Sequence, residues 1–185
     1  MKSKRKVFAA SVKQCHASMN DLARSSIFPL TRVILQGPFA TPERGKVLRG
    51  AGVTHVLNVG EAPSAISPSD GFQEVIWRSV EDLERIPDDA ALAALDELHR
   101  MATMDASRVY VHCVAGWNRS PTIVWLYLIA CGLHPEAARQ LIASRTLDAV
   151  PGHARLVDGS LIRLAQEHGA RRFLPLARPE ILEPA

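Results

Sequence analysis

The sequence predicts an α/β protein in which a central, mostly parallel sheet of four to five strands is flanked by helices. Three observations carry this. Short β-rich runs alternate with helical stretches from about Ile27 onward. One run, Val109 to Val111, is apolar without a break, the pattern of a strand buried on both faces. The helical stretch that follows it is apolar nearly all round, as a core helix is. A chain of 185 residues, 47% apolar and 22% charged, is long enough to close one domain around a sizeable core.

Thr31–Leu35 and Val53–Val59 read as strands. Between them "ATPERGKVLRGAG" reads as a short helix, with Pro42 suited to its first turn and Gly50 or Gly52 to its end. After the turn "SPSDG", Glu74–Val80 alternates as a third strand. From Pro87 to Met104 the residues Ala91, Leu92, Leu95, Leu98 and Met101 recur at helical spacing, with Asp88 and Asp89 well placed in the first turn. Arg108–His112 is the next strand, and Ser120–Ala130 is the apolar helix, closed by Gly132. Pro135–Arg145 and Ser160–His168 complete the helices. The domain organisation follows: a basic N-terminal extension over 1–26, a compact domain over 27–170, and a proline-rich tail over 171–185 that wraps the surface or frays.

The net charge of +3 is local. Lys2, Lys4, Arg5, Lys6 and Lys13 fall in the first thirteen residues, where no acid stands, and the remaining 17 basic residues meet 19 acidic ones. The body is slightly acidic, so no nucleic-acid partner is expected. The basic segment reads as a solvated extension, or as a transit peptide or membrane-surface helix. No apolar run approaches the ~20 residues of a membrane span, so no transmembrane segment is expected. Three widely spaced cysteines point to a reducing compartment and a cytoplasmic location, with targeting or membrane-surface association through residues 1–26 as the alternative. The sequence leaves the oligomeric state open.

The chemistry concentrates in "VYVHCVAGWNRSPTIV" (Val109–Val124). A loop between a buried strand and a helix start gathers backbone N–H groups and the positive end of the helix dipole, an anion site. Gly116 permits the turn that lets several amides face one point. Arg119 adds a fork of donors that matches two phosphate oxygens. Helix N-termini and nearby cations favour a thiolate, so Cys113 would stand as an anion aimed at phosphorus. A bare Cys-x5-Arg is a weak signal. His112 before it, Gly116 within it, Ser120 after it and the strand-loop-helix setting make it a strong one. The alternative is a buried structural cysteine beside a capping serine.

"VHCVAGWNRSPTIV" resembles the phosphate-binding signature His-Cys-x2-Gly-x2-Arg-Ser/Thr of the cysteine-dependent protein tyrosine phosphatases, and the short chain is similar to their dual-specificity branch. The likeness runs from about Ile27 to Gln166, with "GVTHVLNV" and "LIRLAQ" as looser matches. It implies a dual-specificity phosphatase-like fold and a phosphatase acting through a cysteinyl-phosphate. Cys113 would be the nucleophile and Arg119 the phosphate clamp. Ser120 would hydrogen-bond the sulfur and help it leave, and His112 would orient the loop and favour the thiolate. Ser120 also fits a helix N-cap ahead of Pro121, and both roles can coexist. The family's general acid sits on a loop about thirty residues before the cysteine, which here is Asp82, 31 positions ahead, with Glu81 as a substitute.

Val114, Ala115, Gly116, Trp117 and Asn118 would bind substrate, Trp117 by stacking or else by packing on a neighbouring loop. No cofactor is implied, and His112 has no companion at metal-ligand spacing. The short chain implies a shallow pocket open to phosphotyrosine and phosphoserine/threonine on proteins, or to a small phosphate ester. Inositol-lipid relatives often carry lysines inside the signature, and none stands between Cys113 and Arg119. Relatives acting on RNA 5′-phosphates can share the pair Asn118-Arg119, but the acidic body counts against RNA. A phosphate-reading module with little catalysis is the remaining alternative. Arg24, Arg32, Arg78 and Arg85 are candidates for a second phosphate subsite, against solvated surface charges. Cys131 and Cys15 are candidate oxidation partners of Cys113, with Cys131 also readable as a packed core residue.

Overall fold

The computed structural model describes residues 26–173 and 181–185. Cys15, Arg24 and nearly all of the basic N-terminal segment lie outside the described residues. Among the described residues five strands form one sheet in the order β1 (Phe28–Pro29), β2 (Ile34–Gly37), β5 (Val109–His112), β3 (His55–Asn58), β4 (Glu74–Trp77). β2, β5, β3 and β4 run parallel, and β1 is antiparallel at one edge. The α-helices among the described residues are α1 (Pro42–Gly50), α2 (Asp88–Ala102), α3 (Arg119–Ala130), α4 (Pro135–Ala143) and α5 (Gly159–Arg172). This is the α/β architecture that the alternation of runs predicts. No helix among the described residues is long and apolar enough to cross a membrane.

Alternation along the central strand splits the core in two. Val109 and Val111 point with Ile34 and Leu57 into the larger cluster, which holds Leu95 and Leu98 of α2 and Leu126 of α3. Tyr110 points with Leu35 and Val56 into the smaller one, against Leu48 of α1. All twelve residues of α3 are buried. Full burial of each large apolar side chain contributes ~1.5–3 kcal/mol, which makes this helix a rigid footing for the loop before it.

Several boundaries differ from the sequence reading. The strand expected over Thr31–Leu35 begins at Ile34, because Thr31 is used in a turn: its Oγ1 accepts from the amides of Val33 (3.3 Å) and Ile34 (3.0 Å). That turn joins β2 to β1, which the sequence reading missed. A two-residue strand holding a proline suits only a sheet edge. The strand expected to reach Val80 ends at Trp77, beyond which the chain turns and the Val80 carbonyl accepts from Arg119 (3.3 Å). Helix α1 ends in Gly50, and Gly52 supplies the left-handed residue (φ 79°) past its end. The last helix runs on to Arg172, beyond the expected end at His168. Residues 181–185 pack back on the β1–β2 turn: Ile181 is fully buried, the Arg32 amide donates to the Glu183 carbonyl, and Pro184 pairs with Thr31.

Parallel register sets the place of the site. Gly37 and Asn58 both lie level with His112, and Trp77 lies level with Asn58. The segments that follow these strands therefore leave the sheet at one edge, the carboxyl edge where open α/β sheets bind ligands.

Candidate active site

The loop from Cys113 to Asn118 joins the carboxyl end of β5 to α3. Gly116 takes φ 78°, and a Cβ there would stand 2.6 Å from the Gly37 carbonyl carbon and 2.8 Å from the Pro38 nitrogen. Only glycine fits both the backbone angle and the gap. In that conformation the Gly116 amide donates to the Cys113 sulfur at 3.3 Å, and the Ser120 hydroxyl donates to it at 3.4 Å. Cys113 is 2% exposed, and its sulfur is met by two positive ends.

Helix α3 begins at Arg119 with Asn118 in the cap position, so Ser120 is the second helical residue and not the N-cap that the sequence allowed. Its hydroxyl is engaged elsewhere, between Cys113 and the Gln36 side chain (3.0 Å). Arg119 is buried, with its guanidinium facing the loops after β3 and β4. Nη1 lies 3.3 Å from Glu61 Oε1 and donates to the Val80 carbonyl, and Nη2 lies 3.6 Å from Asp82 Oδ2. Its Nε has no hydrogen-bond partner among the described residues. A buried cation held between two partly exposed carboxylates can receive a dianion that sits between them and the sulfur.

Asp82 is thus brought to the site from a separate loop. Its amide donates to Glu61 Oε1 (3.3 Å), and its Oδ1 accepts from the Leu83 amide (3.1 Å). Leu83 occupies the left-handed region at φ 58°, a costly conformation that turns the chain immediately after the carboxylate. Glu81 is fully exposed, and its carboxyl is pushed up first by a hydrogen bond with Glu84, then by the charges of Glu84 and Glu61.

His112 is buried among Tyr110, on which it stacks, and Phe39, which meets it edge-on at 5.4 Å. Burial lowers its pKa to about 4, so the ring is neutral near pH 7. Its Nδ1 lies 3.1 Å from the Cys113 carbonyl oxygen. A carbonyl only accepts, so Nδ1 carries the proton, and the ring holds the loop through that bond without supplying a positive charge.

Of the substrate-facing candidates, Val114, Ala115 and Trp117 are exposed, Asn118 is half-buried and Gly116 is buried. Trp117 is 55% exposed while its carbonyl accepts from the Val150 amide (2.7 Å), so its ring stands at the rim. Beside it a cavity of about 210 Å³ opens between Phe28, Pro38 and Leu147. The described arginines among the second-subsite candidates are engaged in ion pairs. Arg32 pairs with Glu183, Arg78 with Glu97, and Arg85 with Asp88 and Asp158. Cys131 is buried just past the far end of α3, its thiol pushed up to about 11 by burial. Twelve helical residues, about 18 Å, separate it from the loop, which rules out a disulfide with Cys113 in this fold.

Two residues of the site escaped the sequence reading: Glu61, which pairs with Arg119, and Gln36, which holds Gly116 and Ser120. Both stand at or just beyond carboxyl ends of strands, and only the strand order reveals that those ends adjoin Cys113.

Residues 39–145 match the family model for the dual specificity phosphatase catalytic domain. The dual specificity protein phosphatase 1B of Arabidopsis thaliana is 33% identical over 119 residues, spanning 62% of this chain and 68% of that protein. In fold the chain is similar to PTPMT1, with a TM-score of 0.65 at 22% identity over 78% of this chain and 97% of that one. A structure of PTPMT1 in complex with PI(5)P gives a TM-score of 0.60 at 19% identity, covering 79% and 96%.

Proposed function

The chain belongs to the dual specificity phosphatase catalytic-domain family, and from that premise we propose that it hydrolyses phosphate monoesters on proteins, phosphotyrosine and phosphoserine/threonine alike, through a cysteinyl-phosphate. The observation that carries this is the convergence of the Gly116 amide and the Ser120 hydroxyl on the Cys113 sulfur, beside the buried Arg119 guanidinium.

The phosphate dianion sits in the loop amides with Arg119 forked on two of its oxygens. The Cys113 thiolate attacks phosphorus in line with the leaving oxygen. The S–P bond forms, the P–O bond breaks, and the departing alkoxide or phenoxide takes the proton of Asp82, an effect worth typically ~10²–10⁴ in rate. Water then attacks the cysteinyl-phosphate and gives its proton to the Asp82 carboxylate. The S–P bond breaks, its electron pair returns to sulfur, and the Ser120 hydroxyl donates to the thiolate so formed. Inorganic phosphate leaves and the starting state is restored. His112 holds the Cys113 carbonyl throughout, and Val114, Ala115, Trp117 and Asn118 meet the substrate outside the phosphate.

For the substrate class, the charges around Arg119 speak for proteins. Glu61 and Asp82 lie within 4 Å of its guanidinium, and Glu81 and Glu84 interact beside Glu61. Such a rim repels multiply phosphorylated headgroups and RNA more than it repels a single phosphoresidue. A phosphoinositide is the second reading, favoured by the likeness to PTPMT1, which has been solved with PI(5)P.

Phosphopeptides, phosphoinositides and 5′-phosphorylated RNA assayed with the wild type and Cys113→Ser test the proposal. The expected result is turnover of phosphopeptides that Cys113→Ser abolishes while phosphopeptide binding persists. Hydrolysis of an aryl phosphate that survives in Cys113→Ser overturns the mechanism. Turnover confined to phosphoinositide overturns the substrate class.

A further inference from the structure

We propose that Gln36 is a positioning residue for the second half of the reaction: one side-chain amide aims both donors that meet the Cys113 sulfur. This rests on the reading of Cys113 as nucleophile and of Ser120 as the group that receives it when it leaves.

The pleat of β2 places Gln36 with Ile34 on the face turned to the larger core, and its side chain is completely buried. An apolar residue is the ordinary occupant of such a position. Gln36 is also incompletely satisfied, since its Oε1 has no hydrogen-bond partner among the described residues. A buried carbonyl left unpaired destabilises the fold, so folding alone gives no reason for an amide here.

Its nitrogen is fully used. Nε2 donates to the Gly116 carbonyl at 2.7 Å and to Ser120 Oγ at 3.0 Å. Because a peptide carbonyl only accepts, the atom facing Gly116 must be the nitrogen, and its two hydrogens are consumed by the two bonds. Two consequences follow for the sulfur. Ser120 Oγ, having accepted from Gln36, has its one hydrogen left for Sγ, 3.4 Å away. The Gly116 residue, anchored by its carbonyl, is fixed with its amide toward the same sulfur at 3.3 Å. Without the amide, the Ser120 hydroxyl is free to turn to a phosphate oxygen in the cysteinyl-phosphate. The sulfur would then leave without the hydroxyl, and with a Gly116 amide that is no longer anchored toward it. Gln36 lies 80 and 84 residues from its two partners, so no local motif could show the pairing.

The test uses Gln36→Met, which keeps the length and approximate volume of the side chain and removes the amide, in stopped-flow hydrolysis of p-nitrophenyl phosphate. The expected result is a kcat about ten-fold lower with a burst of phenol that marks accumulating phosphoenzyme, a KM that falls with it, and kcat/KM changed by less than about three-fold. In a Ser120→Ala background the same substitution should lower kcat by no more than about three-fold, because the part that runs through that hydroxyl is already gone and only the Gly116 anchor is left to lose. A residue that only supports the fold would lower thermal stability and kcat/KM without producing the burst. A Gln36→Met enzyme with kcat within two-fold of wild type and no burst, or losses that add fully to those of Ser120→Ala, overturns the proposal. Should Gln36→Met not fold, Gln36→Asn, which keeps the amide but is too short to reach both acceptors, must give the same kcat–KM split. Activity that persists in Cys113→Ser defeats the nucleophile reading itself. Strict dependence on Cys113 with unchanged Gln36 variants defeats this proposal alone.

Discussion

Gly116→Ala is the substitution whose cost can be worked out most directly from the loop. The added methyl would meet the Gly37 carbonyl carbon at 2.6 Å, the Pro38 nitrogen at 2.8 Å and the Gly37 oxygen at 2.9 Å. These are backbone atoms held by pairing of Gly37 with His112 and by the bond from the Phe39 amide to the Val114 carbonyl (2.9 Å). They cannot swing aside as a flexible side chain can. To regain ordinary contact at 3.4 Å the loop must retreat by about 0.8 Å, and alanine at φ 78° adds ~1–2 kcal/mol of backbone strain. The Gly116 amide and carbonyl are both engaged, at 3.3 Å and 2.7 Å, so a shift of that size breaks at least one of the two bonds. A misplacement near 1 Å costs on the order of 10²-fold in rate, ~2.7 kcal/mol of transition-state stabilisation. The assay is kcat/KM on p-nitrophenyl phosphate beside the thermal midpoint. Gly50→Ala is the control, since a Cβ there meets nothing within 4 Å; it should leave activity unchanged and stabilise α1 by up to about 1 kcal/mol. A Gly116→Ala enzyme within about three-fold of wild type would refute the reasoning.

Asp82→Asn should flatten the alkaline limb of the pH–rate profile and lower kcat on an alkyl phosphate by ~10²–10⁴, with a smaller loss on p-nitrophenyl phosphate. An unchanged profile would move the acid role to Glu81 or elsewhere. Glu61→Gln removes a carboxylate 3.3 Å from the Arg119 guanidinium, so inorganic phosphate should inhibit the variant about two- to five-fold more strongly at low salt; unchanged or weaker inhibition contradicts this. His112 has a folded pKa of about 4 against 6.5 ordinarily, because burial penalises its charged form. Below about pH 6.5 the unfolded chain binds a proton that the folded chain refuses. Stability is therefore fully present above that pH and falls by up to ~3 kcal/mol as the pH drops towards 4. The loss should be shallower in His112→Asn, with burial of His55 and His99 supplying the remaining slope, and parallel losses in urea titrations would exclude the assignment. Ile181→Ala should destabilise by about 2–4 kcal/mol in the same titrations, because Ile181 is fully buried on docking of the chain end; a loss below about 0.5 kcal/mol would show that the docking is not needed.

The elements that the sequence made legible are those in which local pattern and tertiary demand agree. Val109–Val111 is apolar because both faces of the central strand are covered, and α3 is apolar all round because all of it is buried. Elsewhere a local preference is recruited for something else, and the local pattern points away from the role the residue takes. Thr31 looks like a strand residue yet closes a turn, Val80 continues an alternating run yet gives its carbonyl to Arg119, and Ser120 looks like a cap yet its hydroxyl serves Cys113. β1 escaped because two residues at a sheet edge leave no periodicity to read.

The sequence by itself determined the loop: a cysteine, a glycine and an arginine between a buried strand and a core helix, with the family that such a signature marks. Those residues are neighbours along the chain, so spacing alone holds them together. Which distant groups meet that loop was decided by the tertiary structure. Glu61, Asp82 and Gln36 reach Cys113, Arg119 and Ser120 only because the parallel order β2-β5-β3-β4 brings the ends of those strands to one edge. Strand order is fixed by how the whole core packs, and no stretch of the sequence carries it locally.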